Sequence, residues 1–414
     1  MADVRQWWEL GPAAGAVALT LSPAVLATIA LLGAVAPLAT DLYLPVFPQV
    51  AAEFGTSSAS VQLTLTVFMI GMGIGQLCWG PISDRFGRRR PLIIAGALFV
   101  VASVIAPMSG SIGVLVAARF LQGFTGSVGP VLGRAIARDL AHGVELAKAL
   151  SVLGIITGLA PIAAPVLGGV LAEPVGWRGI LWVLAGISVV MLACAASIVG
   201  ESLPAGRRVS GGLGDVGRSI RTVLTDRVFV GYVLTQAFGL GVLFAFISGS
   251  SFVLQTEYGL GSLHYSLLFA LNALVLIVGG LLNNRLVVRH SPKRILVIGL
   301  LVSVVAAVAA ATITGAMGHP PLWVLLFLVA LASACNAPVL ANTTTLGLDR
   351  HGANAGMASA VMGAVQSAVA GGVAQLVAIT GQTSAVSMTL VMGGSAVAAG
   401  AAYLFLCRRG DATA

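Results

Sequence analysis

The sequence predicts an all-α membrane protein: twelve transmembrane helices in two pseudo-symmetric six-helix bundles. Three observations carry this: composition, the number of spanning-length apolar runs, and the side on which the cations fall. Of 414 residues, 58% are hydrophobic and only 9% charged, with a mean hydropathy of +1.00. Soluble domains are roughly half apolar and about a quarter charged. Too few polar side chains exist to cover a water-facing surface of this size, which excludes a soluble enzyme. The same numbers exclude disorder, which needs low hydrophobicity and high charge. The 52 glycines follow no G-X-Y period, so a collagen-like chain is excluded too.

A spanning helix needs about 20 mostly apolar residues to cross roughly 30 Å of hydrocarbon. Breaking the chain at charges and at Gly/Pro clusters gives the elements in order. The first span, 24–47, starts after Pro23 and ends among Pro45 and Pro48. The second, 61–82, stops at a Gly-rich basic loop, after which 91–108 forms the third. Spans four to six are 112–137, 148–171 and 178–200. The polar interval 201–228 carries Arg207, Arg208, Arg218, Arg221 and Arg227 and reads as a cytoplasmic linker. Six further spans follow at 229–254, 265–286, 295–316, 322–346, 355–380 and 383–407. The expected domains are a tail 1–23, a bundle 24–200, the linker, a second bundle 229–407 and a tail 408–414.

Cation placement tests that count. With both termini cytoplasmic, all of the 22 Lys and Arg residues fall on the inner side except Arg178, in an outer loop, and Arg119, within span four. One helix missed or invented in the middle would scatter them over both faces, so the positive-inside bias supports the number and the orientation. The net charge of +8 therefore reflects topology, and nucleic acid is not an expected partner. A degenerate internal repeat agrees: Gly80-Pro-Ile-Ser-Asp84-Arg85 ends span two and Gly280-Leu-Leu-Asn-Asn284-Arg285 ends span eight. Duplicated halves are a transporter trait. The four cysteines lie in or beside apolar runs without C-x-x-C spacing and read as packing residues. The N-terminus lacks a convincing small-residue cleavage site and does not read as a signal peptide.

The loop 80–92, GPISDRFGRRRPL, is the most specific motif. Gly80 and Gly87 permit a tight turn, Asp84 can pair with arginine or face a helix N-terminus, and Arg85 and Arg88 hold the loop at an anionic leaflet. Basic, Gly-rich cytoplasmic loops are common, but the ordered G-x-x-x-D-R-x-G-R-R spacing is not.

This loop, in this place, resembles the signature of the major facilitator superfamily, and the resemblance covers nearly the whole chain. Arg119-Phe-Leu-Gln122-Gly123 is similar to the family's R-x-x-Q-G element. Gly154-x-x-x-Gly158 with Ala164-Pro165-Val-Leu-Gly168-Gly169 looks like the span-five motif of its drug/proton antiporters, although Leu159-Ala160 stands where Gly-Pro is common. Asp41-Leu-Tyr43-Leu-Pro45 and the run Arg134 to Asp139 resemble the Bcr/CflA branch of bicyclomycin, sulfonamide and phenicol exporters.

Asp41 lies in a run otherwise apolar from Pro23 to Val46, where ionisation is costly. From the residues alone it is equally a proton-binding carboxyl or an interfacial aspartate near a helix end; the resemblance favours proton or cation binding. Arg119 either faces a polar cavity or snorkels to the outer interface. Gln122 and Gly123 share its helical stripe, and the resemblance implies that it couples carboxyl protonation to transport. Pro165, Gly168 and Gly169 permit bending and close packing, and in the resembled family such packing seals the cavity against leak.

Tyr43, Gln122, Phe244 and Asn336 are candidate substrate contacts; Phe238, Phe246 and Phe252 also lie on span seven. Asn272, Asn336, Asn342 and Gln366 read more readily as interhelical hydrogen bonders. The histidines lie near loops, where solvation is expected, and no phosphate loop, metal-ligand cluster or nucleophile elbow appears, so neither cofactor nor metal nor enzymatic activity is expected. The resemblance implies a monomeric proton-coupled antiporter of the inner membrane. It would export small lipophilic drugs, neutral or singly charged, by alternating access. The alternative is a proton-linked importer or facilitator of a nutrient or metabolite on the same fold.

Overall fold

The computed structural model describes residues 21–208, 213–379 and 383–407. The expected tail 408–414, and nearly all of the tail 1–23, lie outside the described residues. Twelve membrane-scale elements follow in chain order: α1 Pro23–Phe54, α2 Ser58–Phe86, α3 Arg89–Ile105, α4 Ile112–Leu140, α5 Gly143–Ala172, α6 Gly176–Ile198, α7 Arg227–Glu257, α8 Ser262–Leu286, α9 Pro292–Met317, α10 Leu322–Asp349, α11 Ala355–Leu376 and α12 Ala385–Cys407. Eleven are long and apolar enough to cross a membrane, and α3, at 17 residues, is the short one. No strand occurs among the described residues.

The largest departure from the sequence reading is in α1, expected to end near residue 47. Helical pieces at Pro23–Gly33 and Val35–Asp41 are followed by a 3-10 turn, Leu44–Val46, and then by Phe47–Phe54. Pro45 and Pro48 each sit in the first turn of a new segment, where a missing N–H costs nothing and the fixed φ suits the helix. The prolines therefore redirect the chain without ending it, and Asp41 falls near the middle of α1. The linker also contains an amphipathic helix, Leu213–Leu224, that the interval's polarity concealed. Its Val223 is fully buried against Phe229, Val233 and Met362.

Packing is mostly within α1–α6 and within α7–α12: α4 lies on α2, α6 on α3, α12 on α7 and α9. Two broad contacts cross between these groups, α2 on α11 and α5 on α8, and smaller ones join α2 and the latter part of α1 to α7 and the α1 turn to α8. α7 is the most enclosed span, while α5 and α8 present apolar outer faces, including Ile155 and Leu271, suited to lipid.

Candidate substrate and proton site

A central cavity of about 510 Å³ lies between the two helical groups, lined by α1, α2, α4 and α5 on one side and α7, α8, α10 and α11 on the other. It shares Gln76, Arg134 and Ser359 with a second space of about 350 Å³ formed by the ends of α2 and α4 and the start of α11. Together they lead to the face that carries the α2–α3 loop. The opposite face is closed. Ser251 Oγ donates to the Leu44 carbonyl at 2.7 Å, and Gln255 Nε2 to that of Pro45 at 2.9 Å. Gln62 Nε2 donates to the Ser248 carbonyl at 3.0 Å and to Thr383 Oγ1 at 2.8 Å. A Cβ on Gly168 would strike the Leu42 carbonyl, and one on Gly169 would strike Ser266, so α5 seats against α1 and α8 only with glycine at both places. Nearby, Pro165 is buried within α5.

Asp41 is 5% exposed, and that exposure is to the cavity. This replaces the interfacial alternative, because α1 continues for more than ten residues beyond it. Thr40 Oγ1 lies 2.9 Å from Asp41 Oδ1 and 3.0 Å from the Ala36 carbonyl. A hydroxyl has one proton to donate, so these two acceptors compete. The Tyr265 hydroxyl lies 3.3 Å from Ser250 Oγ.

Arg119 is completely buried, so it does not snorkel. Its guanidinium carbon lies 4.7 Å from the centroid of the Phe68 ring and 5.1 Å from that of Tyr43. One nitrogen donates to Gln122 Oε1 at 3.1 Å, and Gln122 in turn donates to Ser103 Oγ at 2.9 Å. Nε and Nη2 have no hydrogen-bond partner among the described residues. Both rings stand within the roughly 6 Å at which a desolvated guanidinium gains cation–π attraction. No hydrogen bond or ion pair joins Asp41 to Arg119 among the described residues; Tyr43, whose ring lies against Arg119, follows Asp41 by two residues along α1.

At the open face, Arg88 gathers the loop. It donates to Asp84 at 2.5 Å, Ser83 at 2.7 Å and Asp139 at 2.9 Å. Burial alone would weaken its charge, but the hydrogen bonds to Asp139 and Asp84 hold its pKa above the usual arginine value. Gly87 has φ +88°, and a Cβ there would collide with Glu201, whose carboxylate accepts from the Arg88 backbone N–H at 2.7 Å. Arg85 instead lies over its neighbour Phe86, and Gly80 has open space where a Cβ would stand.

Of the proposed substrate contacts, Phe244 lines the cavity. Tyr43 and Gln122 are occupied by Arg119, and Asn336 is buried away from the cavity in this conformation. Phe246 stacks on Phe269 behind the wall. Gln366, read from the sequence as an interhelical hydrogen bonder, accepts from Gln236 Nε2 at 3.2 Å; the sequence reasoning missed Gln236 and the neighbouring Thr344 as its partners. Helical spacing cannot reveal such a pair, since its members lie on different spans. His351, expected in solvent, has a side chain only 12% exposed, held edge-on to Phe229 with Nε2 3.3 Å from Asp226.

Residues 29–375 match the Major Facilitator Superfamily. The chain is 39% identical to the MFS-type transporter YdgK of Bacillus subtilis (strain 168), over 93% of this chain and 94% of that one. It is 30% identical to the bicyclomycin resistance protein homolog of Haemophilus influenzae, over 92% and 96%. Among solved structures it is similar to a D-xylose-proton symporter, with a TM-score of 0.71 at 17% identity, covering 92% of this chain and 97% of that one. An all-helical fold with a cavity between two helical groups, and these relationships along nearly its whole length, make the chain a transporter of the major facilitator superfamily, of its Bcr/CflA type.

Proposed function

We propose that this protein is a proton-coupled antiporter that exports small lipophilic drugs across the inner membrane by alternating access. The bundles 24–200 and 229–407 rock about the central cavity, the chain acts as a monomer, and the α2–α3 loop face and both termini are cytoplasmic. The observation that carries this reading is Asp41, a carboxyl buried in the protein yet lining the cavity. Ionised, it accepts the Thr40 hydroxyl hydrogen bond and attracts a cationic group. Protonated, it becomes a donor itself, and the Thr40 proton turns back to the Ala36 carbonyl. That exchange alters α1 at its bend, and Tyr43 carries the change to Arg119. A proton thus acts as a ligand with different affinity for the two states. The relative named for bicyclomycin resistance supports drugs as the substrate class.

The test is efflux from proteoliposomes under an imposed pH gradient. Asp41→Asn is expected to abolish the gradient-driven component while the protein stays folded; full gradient-driven transport by that variant overturns the assignment. The Gln236–Gln366–Thr344 group supports a second reading, a proton-linked importer of a hydrogen-bonding nutrient. Net accumulation of a substrate down the proton gradient, in place of exclusion, would favour it.

A further inference from the structure

Among the described residues, the cavity lining contains two ionisable side chains, Asp41 and Arg134. They belong to different ends. Asp41 is at mid-span on α1, whereas Arg134, near the end of α4, also lines the mouth. Arg134 is exposed to this space, and its Nε donates to the Pro130 carbonyl of its own helix at 2.9 Å. No carboxylate pairs with it among the described residues. The two acids of the mouth, Asp84 and Asp139, are both held by Arg88 at 2.5 and 2.9 Å. Arg138 adds a second cation, donating to the Arg134 carbonyl at 3.3 Å. The mouth therefore carries three guanidiniums against two carboxylates, and Arg134 is the one that faces the cavity.

An uncompensated guanidinium between low-dielectric walls attracts a carboxylate, which it can hold in a bidentate pair, and repels a permanent cation. The lining between the two charges is apolar or neutral: Met69, Met72, Phe244 and the Gln236–Gln366 pair. A molecule spanning it meets a cation at one end and an acid at the other.

We propose that Arg134 is a specificity-determining residue, and that the cavity selects zwitterionic amphiphiles whose carboxylate faces Arg134 and whose cationic end faces Asp41. This rests on the cavity being the transport site, as proposed above. It also gives the exchange a chemical basis: the proton and the cationic end of the substrate compete for Asp41, while Arg134 holds the other end throughout.

Two dyes with one ring system isolate the charge: tetramethylrhodamine, a zwitterion with a free carboxylate, and its methyl ester, a permanent cation. Binding to the purified full chain in detergent is followed by fluorescence anisotropy without a pH gradient. The wild type is expected to prefer the zwitterion by about tenfold, the worth of one charge-assisted contact. Arg134→Gln should bring that ratio to about one, and Arg134→Lys should keep most of it. Thermal unfolding of both variants should match the wild type, because Arg134 bonds only within its own helix. A ratio unchanged in Arg134→Gln, preference for the ester, or binding of neither dye overturns the proposal. The outcome is independent of proton coupling: if Asp41→Asn transported fully, the antiport reading would fail while an Arg134-dependent ratio would stand.

Discussion

Gly169→Val should open the closed face of the transporter. A Cβ at this position would stand 2.7 Å from Ser266 Cβ and 3.0 Å from the Ser262 carbonyl oxygen, both stiff parts of α8. Carbon atoms settle at about 3.5–4.0 Å, so α5 and α8 must part by roughly 1 Å. Overpacking of this kind costs about 1–3 kcal/mol. Because α5 and α8 belong to different helical groups, that cost falls on the state in which they meet there. Two kcal/mol would change the ratio of closed to open at this face by about 30-fold. Electron-spin distance measurement between labels at Ser57 and Met317, both exposed near this face, reads the change in a background freed of the four native cysteines. The expected result is a longer-distance population in Gly169→Val and none in Gly154→Val, where an added Cβ meets nothing within 4 Å. An unchanged distribution in Gly169→Val, or an equal shift in both variants, would refute the packing argument.

Three further outcomes are expected. Arg88→Ala strands Asp139 and Asp84 and should lower stability by about 2–4 kcal/mol, below the loss for a fully buried pair because Asp84 is 47% exposed; thermal unfolding in detergent checks this, with Arg88→Lys intermediate. Arg119→Met removes a buried cation with two unpartnered nitrogens and keeps the apolar stem, so it should unfold no earlier than the wild type yet lose gradient-driven transport. Burial works to raise the pKa of Asp226, but the Arg350 ion pair and the N–H groups of Phe229 and Val228 outweigh it and hold the carboxyl below the usual range. Its contribution is therefore present above the unfolded-state pKa and lost as pH falls through the lower folded value. The extra stability of wild type over Asp226→Asn should be full at pH 6 and shrink below about pH 4.

Hydropathy and cation placement made the order and number of spans legible, because lipid demands long apolar helices and cations resist translocation. The i,i+3 relation of Arg119 to Gln122 was legible for the same kind of reason: it lies within one helix. What failed to show was the continuation of α1. Proline was read as a terminator, whereas Pro45 and Pro48 occupy first-turn positions that tolerate it. That single difference moved Asp41 from the edge of a span to its middle. The cavity wall was legible only in part, since Phe244 reaches it while Tyr43 turns to Arg119. Side-chain choices of this sort depend on which helices become neighbours. Arg134 stood out in the sequence only as the start of the run Arg134 to Asp139 that resembles the Bcr/CflA branch; that its charge is uncompensated follows from the pairing of both nearby acids with Arg88.

The two ends of the linker are fastened to different helical groups. Glu201 clasps the start of α3 through the Arg88 and Arg89 N–H groups, while Val223 is sunk among α7 and α11. On the rocking of the two bundles proposed above, the linker is expected to serve as a leash: its contour, at most about 3.5 Å per residue in extended chain and about 1.5 Å per residue through the Leu213–Leu224 helix, would cap the swing. Deleting residues from it is then expected to shorten the stroke, and lengthening it to loosen the stop.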